Sequence, residues 1–262
     1  MNSLQAFAKT CHERLIHGAK VNSPRKYLLE TRSLNEQTLI EHGIGFCPWG
    51  VDLEPNIRFF GEDLEDENKR DWQYSIWGRI IVPICDERGT VISLTTKKPA
   101  IGKNPWWNLP FIKSHSLFLI NKAKKAMFVE NKVYVVEGYA DALTLSQNGL
   151  KNVVAIMGTA LTMRKIAIIA RYCNNVCFCF DVDENKAGQK ASDISISMVN
   201  KYAFCENISV IDTIPVGEDP DSYVIKYGLD AYLQQERILD RGEMQKIQRR
   251  IDDKAKEEYY AK

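Results

Sequence analysis

Six carboxylates sit where chemistry is possible. Glu137 closes the apolar run Val133 to Val136, and Asp141 follows four residues later, in the first turn of a predicted helix. Asp181 and Asp183 close a second apolar run, Val176 to Phe180, and Asp219 and Asp221 repeat the i, i+2 spacing across Pro220. In extended chain, residues i and i+2 point the same way, so Asp181 and Asp183 are expected to share a face. Pro220 biases Asp219 toward extended backbone. Carboxylates forced together repel one another unless protons or cations neutralise them. No His or Cys accompanies them, so the donor set is all oxygen, which favours Mg²⁺ or Mn²⁺ over zinc. Metals held this way clamp phosphate oxygens and stabilise the charge of phosphoryl transfer. A single Asp-x-Asp reads as a turn or a helix cap. Three acidic pairs at successive element ends read as a site.

A second feature lies upstream. Residues 88–129 carry Arg88, Lys97, Lys98, Lys103, Lys113, Lys122, Lys124 and Lys125 and no Asp or Glu, with Trp106 and Trp107 in the middle. Lysines suit a phosphate backbone, and an exposed indole can stack on a base. For the tryptophans, a place in the core is at least as good a reading. Other candidates are weak. Cys177 and Cys179 fall inside the apolar run VCFCF, where packing outweighs metal binding. The four histidines show no ligand spacing, and His12 and His17 read as helix-surface residues. Gly102-Lys103-Asn104 lacks the glycine and hydroxyl residue of a phosphate loop.

The elements that must position these groups follow from the hydrophobic pattern. Leu4, Phe7, Ala8, Cys11 and Leu15 predict a helix over 3–17, with further short helices over 24–31 and 35–42. Ile80 to Ile84 and Val91 to Leu94 predict a hairpin turning at 86–89. From residue 126, strands 133–136, 153–157, 176–180 and 208–211 alternate with helices, which means βαβ units and a mostly parallel sheet. Ligands of such sheets collect at the carboxyl ends of the strands. The tail from 231 is charge-rich, with Met244, Ile247, Ile251, Ala255 and Tyr259 on one helical face. The chain has 262 residues, 35 Lys+Arg against 34 Asp+Glu, and 45% hydrophobic residues. That excludes a wholly basic wrapping tail and an acidic disordered chain. Seven cysteines, no signal-like start and no long apolar run predict a soluble, reduced, cytoplasmic protein without membrane partners.

These residues resemble a known family. Val-Val-Glu137-Gly138-Tyr139-Ala140-Asp141-Ala142-Leu143, Gly158-Thr159-Ala160 and Phe180-Asp181-Val182-Asp183 are similar to the TOPRIM domain of bacterial primases and topoisomerases. Gly217-Glu218-Asp219-Pro220-Asp221 narrows the resemblance to the DnaG-type primase branch, and Tyr27-Leu28, Ile44 to Pro48, Arg79 to Asp86 and Phe111-Ile112-Lys113 agree with it. The resemblance implies an α/β fold: a mixed α+β, basic N-terminal subdomain over 1–125, a TOPRIM domain with a mostly parallel sheet over 126–228, and a C-terminal helical segment over 229–262. It further implies a template-directed RNA polymerase making primers on single-stranded DNA from ribonucleoside triphosphates. Glu137, Asp141, Asp181 and Asp183 would be catalytic, and Glu137, Asp181, Asp183, Asp219 and Asp221 would hold Mg²⁺ or Mn²⁺. Arg79, Lys97, Lys98, Lys103, Lys113 and Trp106 would bind nucleic acid or nucleotide. Asp183 is followed by Glu184-Asn185-Lys186-Ala187-Gly188, two residues longer than the family's usual Asp-x-Asp-x-Ala-Gly. The chain carries no zinc-ribbon cysteine set and no helicase domain, so a stand-alone core with a separate zinc-binding module and replicative helicase is expected. A TOPRIM nuclease and a non-catalytic DNA-binding adaptor are the alternatives.

Overall fold

The computed structural model describes residues 3–18, 22–49, 76–99, 106–109, 111–158, 161–181, 187–201 and 205–260. Asp183, Lys103, Thr159, Ala160 and the expected loop over 62–70 lie outside the described residues. The chain divides into two compact units, Met1–Phe111 and Ile112–Lys262.

In the first unit, helix α1 (Ser3–His17) lies on strand β1 (Gly45–Cys47). The approach is close enough that a Cβ on Gly45 would stand 2.5 Å from the Cys11 backbone, so only glycine fits. Helix α2 (Asn22–Lys26) runs into a π-helical turn, Tyr27–Thr31. Helix α3 (Glu36–Glu41) starts at Asn35, whose side chain accepts from the Thr38 amide. The antiparallel sheet runs β1-β2-β3-β4, with β2 Arg79–Cys85, β3 Val91–Lys97 and β4 Trp107–Asn108. Its hairpin turns as the sequence predicts: Asp86 accepts from the Arg88 and Thr90 amides at 2.9 Å each, and Gly89 takes φ +89°. Phe7, Cys11, Cys47, Ile81 and Leu94 form part of the core. One expectation is corrected. His12 is half-buried rather than on the surface, because its Nδ1 meets the Ile44 carbonyl at 2.8 Å.

The second unit is built on the sheet β6-β5-β7-β8-β9. Strands β5 (Val133–Val136), β6 (Val153–Ala155), β7 (Asn175–Cys179) and β8 (Asn207–Val210) are parallel; β9 (Arg237–Ile238) is antiparallel on the edge. The parallel strands are rich in apolar and β-branched residues because helices cover both faces. Helix α4 (Ile120–Glu130) precedes β5, α5 (Tyr139–Gln147) follows it, α6 (Met163–Ile169) follows β6, and α7 (Ala187–Lys201) follows β7. Helices α8 (Pro220–Tyr227), α9 (Leu229–Leu233) and α10 (Arg241–Tyr260) complete it.

The unit boundary falls after Phe111 rather than at 125. Ile120, Ala123 and Met127 pack into the second core, and Phe118 bridges to Ala155. The tail is not separate either. Helix α10 packs on α7, Ile247 enters the core, and Arg250 grips Asp193 with two bonds of 2.9 and 2.7 Å. Among the described residues no helix is long and apolar enough to cross a membrane.

Candidate active site

Glu137 and Asp181 meet at the carboxyl end of the parallel sheet because the paired strands β5 and β7 deliver them there. Glu137 follows β5, Asp181 follows Phe180 at the end of β7, and the Asp181 amide donates to Glu137 Oε1 at 3.4 Å. Asp141, in the first turn of α5, accepts from the Gly138 amide at 3.1 Å and from the Asp221 amide at 3.3 Å. Gly138 has a structural reason to lack a side chain: a Cβ there would stand 2.7 Å from Asp141 Oδ2.

Asp219 and Asp221 do not share a face by the extended-chain rule, because Pro220 begins α8. Asp219 is the N-cap and accepts from the Ser222 amide at 2.7 Å. Asp221, already helical, is buried and accepts from the Thr144 hydroxyl at 2.5 Å. The two side chains therefore divide their work. Each still lies close enough to Asp141 to act on it electrostatically.

That coupling is the clearest electrostatic feature of the unit. Asp141 is 6% exposed, and its carboxyl is held well above the usual aspartate range, first by burial and then by the charges of Asp181, Asp219 and Asp221. Four acids so arranged need protons or a cation. The all-oxygen donor chemistry fits a hard divalent ion. Among the described residues no three carboxylates are by themselves arranged to cage one. Asp183, a further donor expected from the sequence, lies outside them.

The basic run of 88–129 is divided between the two units. In the second unit, half-buried Lys113 opens a short 3-10 turn, Lys113–His115, and its charge is felt by the buried Lys165. In the first unit, Lys97 stands 5.3 Å from the ring centroid of Trp106, which is half-buried, not sealed in the core. Arg79 reaches Thr96 Oγ1 at 3.5 Å, and its Nε has no hydrogen-bond partner among the described residues. Burial and the neighbouring Arg32 lower the Lys97 ammonium's affinity for its proton. Lys98 follows β3 directly. Arg32 and Lys165 were not singled out from the sequence. Neither lies in a motif, and each acquires its neighbours only through the fold.

Residues 134–224 match the Toprim-like family model. A DNA primase of Enterococcus faecalis is 29% identical over 251 residues, covering 87% of this chain and 39% of its own length. A crystal structure of a primase domain from Pseudomonas aeruginosa superposes with a TM-score of 0.74 at 26% identity, covering 90% of this chain and 78% of that one. The DnaG primase catalytic domain bound to single-stranded DNA gives 0.73 at 26% identity, covering 89% and 78%. In sequence and fold, the chain is similar to the DnaG-type primase cores. It spans about two fifths of the length of the curated primases it matches. The Toprim-like match runs from within β5 into α8, the stretch that carries all six carboxylates.

Proposed function

We propose that this primase core synthesises short RNA primers on single-stranded DNA from ribonucleoside triphosphates. The observation that carries the reading is the coupling of buried Asp141 to Asp181, Asp219 and Asp221 at the end of the Toprim-like sheet. Glu137, Asp181, Asp183, Asp219 and Asp221 would hold Mg²⁺ or Mn²⁺, with Asp141 in the same acidic cluster. When bound, the metal supplies charge for the developing alkoxide and the leaving pyrophosphate. Asp141 backs the site from its buried position and fixes the start of α8 through the Asp221 amide. Glu137, joined to the Asp181 amide, would orient a primer 3′-hydroxyl or hold the metal. Whether its carboxylate accepts a proton or a metal changes the pH profile, not its placement.

Lys113 supports the reading as a phosphate contact, and Arg79, Lys97, Lys98, Lys103 and Trp106 as the template and nucleotide surface. The relative solved with single-stranded DNA supports that template class. A replicative helicase and a separate zinc-binding module are the proposed partners, in a cytoplasmic replication complex. The test is incubation with single-stranded DNA, labelled ribonucleotides and Mg²⁺ or Mn²⁺. Short labelled RNA that disappears in Asp181→Ala is expected. Template degradation without synthesis would replace the reading with a nuclease, and binding without either reaction with an adaptor.

A further inference from the structure

Helix α6 joins two parts of the site, and it does so partly through a buried lysine. Lys165 has 0% exposed surface, and its Nζ donates to the Ile156 carbonyl at 2.7 Å. Burying an ammonium on a four-carbon stem is costly in desolvation and side-chain entropy. Burial, with Lys113 nearby, pulls its pKa down to about 8. The carbonyl it holds opens an unusual turn. Met157, the next residue, takes φ +63°, which a residue with a side chain seldom adopts. The Met157 amide donates to the Glu137 carbonyl at 3.0 Å, and the Ile156 amide donates to the Val136 carbonyl at 3.0 Å. A short chain of bonds therefore runs from Lys165 through the 156–157 turn to the backbone of Glu137.

The same helix holds the other side. The Thr162 hydroxyl donates to the Ser114 carbonyl at 2.5 Å, and Arg164 donates to His115 Nδ1 at 3.1 Å. These bonds fasten the turn that carries Lys113 to the start of α6. Resting on the reading of Glu137 and Lys113 as site residues, we infer that Lys165 is a positioning residue. Its bond to Ile156 sets the strained turn that places Glu137, while its helix places Lys113. It touches no reacting atom.

The test compares Lys165→Met, which keeps the length and removes the donor, with Lys165→Gln, which keeps an N–H. Full-length variants are read by amide hydrogen exchange and by primer synthesis. In K165M the Met157 amide should exchange at least about tenfold faster, with Ile208 in β8 unchanged. The kcat for nucleotide addition should fall about tenfold, the scale seen when a supporting bond around a site is removed. KM for nucleotide and affinity for single-stranded DNA should change less than about twofold, and K165Q should recover most of the loss. A folded K165M with a protected Met157 amide overturns the inference, as does a K165Q as impaired as K165M. If K165M does not fold, K165Q decides: a protected Met157 amide supports the inference, and fast exchange there overturns it. Glu137→Gln separates the two claims. Loss in E137Q beside an unaffected K165M overturns the positioning role alone, whereas an active E137Q overturns the reading of the site on which it rests.

Discussion

Glu236 draws together side chains from across the second sheet, and removing it should be costly. Its carboxylate accepts from Lys132 Nζ at 2.5 and 2.6 Å, from the Tyr134 hydroxyl at 3.0 Å and from the Ser209 hydroxyl at 2.5 Å. Tyr134, Cys177 and Ser209 are in register across β5, β7 and β8, so the carboxylate spans three strands. Burial alone would raise its pKa, but the Lys132, Ser209 and Tyr134 bonds prevail and hold it below the usual glutamate range. The lysine and glutamate side chains are 27% and 16% exposed, so the pair is only partly screened by water. In Glu236→Ala the ammonium can partly rehydrate, while two hydroxyls lose their acceptor at about 1 kcal/mol or more each. Together with the lost charge pair, the cost is about 3–5 kcal/mol, the range for breaking a buried ion pair from one side. With a urea slope of about 2 kcal/mol/M, the midpoint of the second unit should fall by about 2 M. The sign with pH is fixed by the lowered value. Glu236's contribution is present above the unfolded value of 4.5 and is lost as pH falls through the folded one. The gap between wild type and E236A should close in that acid window. Urea unfolding of both proteins and of the K132A/E236A double variant measures it. A cost under about 1 kcal/mol, or a double-mutant coupling near zero, would refute the argument.

Three further outcomes follow from particular contacts. Gly138→Ala should fold, since that residue's φ of −105° suits any residue, yet its Cβ must displace the Asp141 carboxylate; primer synthesis should fall about tenfold or more with secondary structure unchanged by circular dichroism. Because Asp141's folded pKa is raised, the native state holds extra protons above the unfolded value of 3.8, and its contribution to stability weakens as pH rises through the folded pKa. The stability difference between wild type and Asp141→Asn, followed by thermal melts, should therefore shift against wild type with rising pH, and added Mg²⁺ should reduce the shift. The R79A/K97A/K98A triple variant should lower the slope of log K against log salt for single-stranded DNA by about 2, at about 0.7 per lost phosphate contact; an unchanged slope in a fluorescence-anisotropy titration would remove these residues from the DNA surface.

Much of the second unit was legible because parallel strands covered on both faces must be apolar along their whole length. The runs at 133–136, 176–180 and 208–211 obey that rule and appear within one residue of their predicted bounds. The run at 153–157 stops at Ala155, because Met157 adopts a positive φ that no hydrophobic pattern encodes. The two-residue strands β4 and β9 were illegible for another reason: each exists only because a neighbouring edge offers hydrogen bonds. At the site, positions were legible, and so was the extended backbone of Asp219, but not the helical one of Asp221. The i, i+2 rule needs an extended chain, and Pro220 starts a helix between Asp219 and Asp221. Lys165 was hidden because nothing local distinguishes it from a surface lysine; its burial is decided by the turn after β6.

The staple around Glu236 also bears on where this chain can be cut. The Toprim-like match ends at residue 224, before Glu236, Arg237 and all of α10. A protein shortened there would keep Lys132, Tyr134 and Ser209 but strip away the carboxylate that gathers them, expose the β8 edge, and uncover the place of Leu239 and Ile247 in the core. Proteolysis between Leu233 and Arg241 should accordingly yield an aggregating fragment rather than a trimmed catalytic domain. The edge of the Toprim-like match is not the edge of the folded unit.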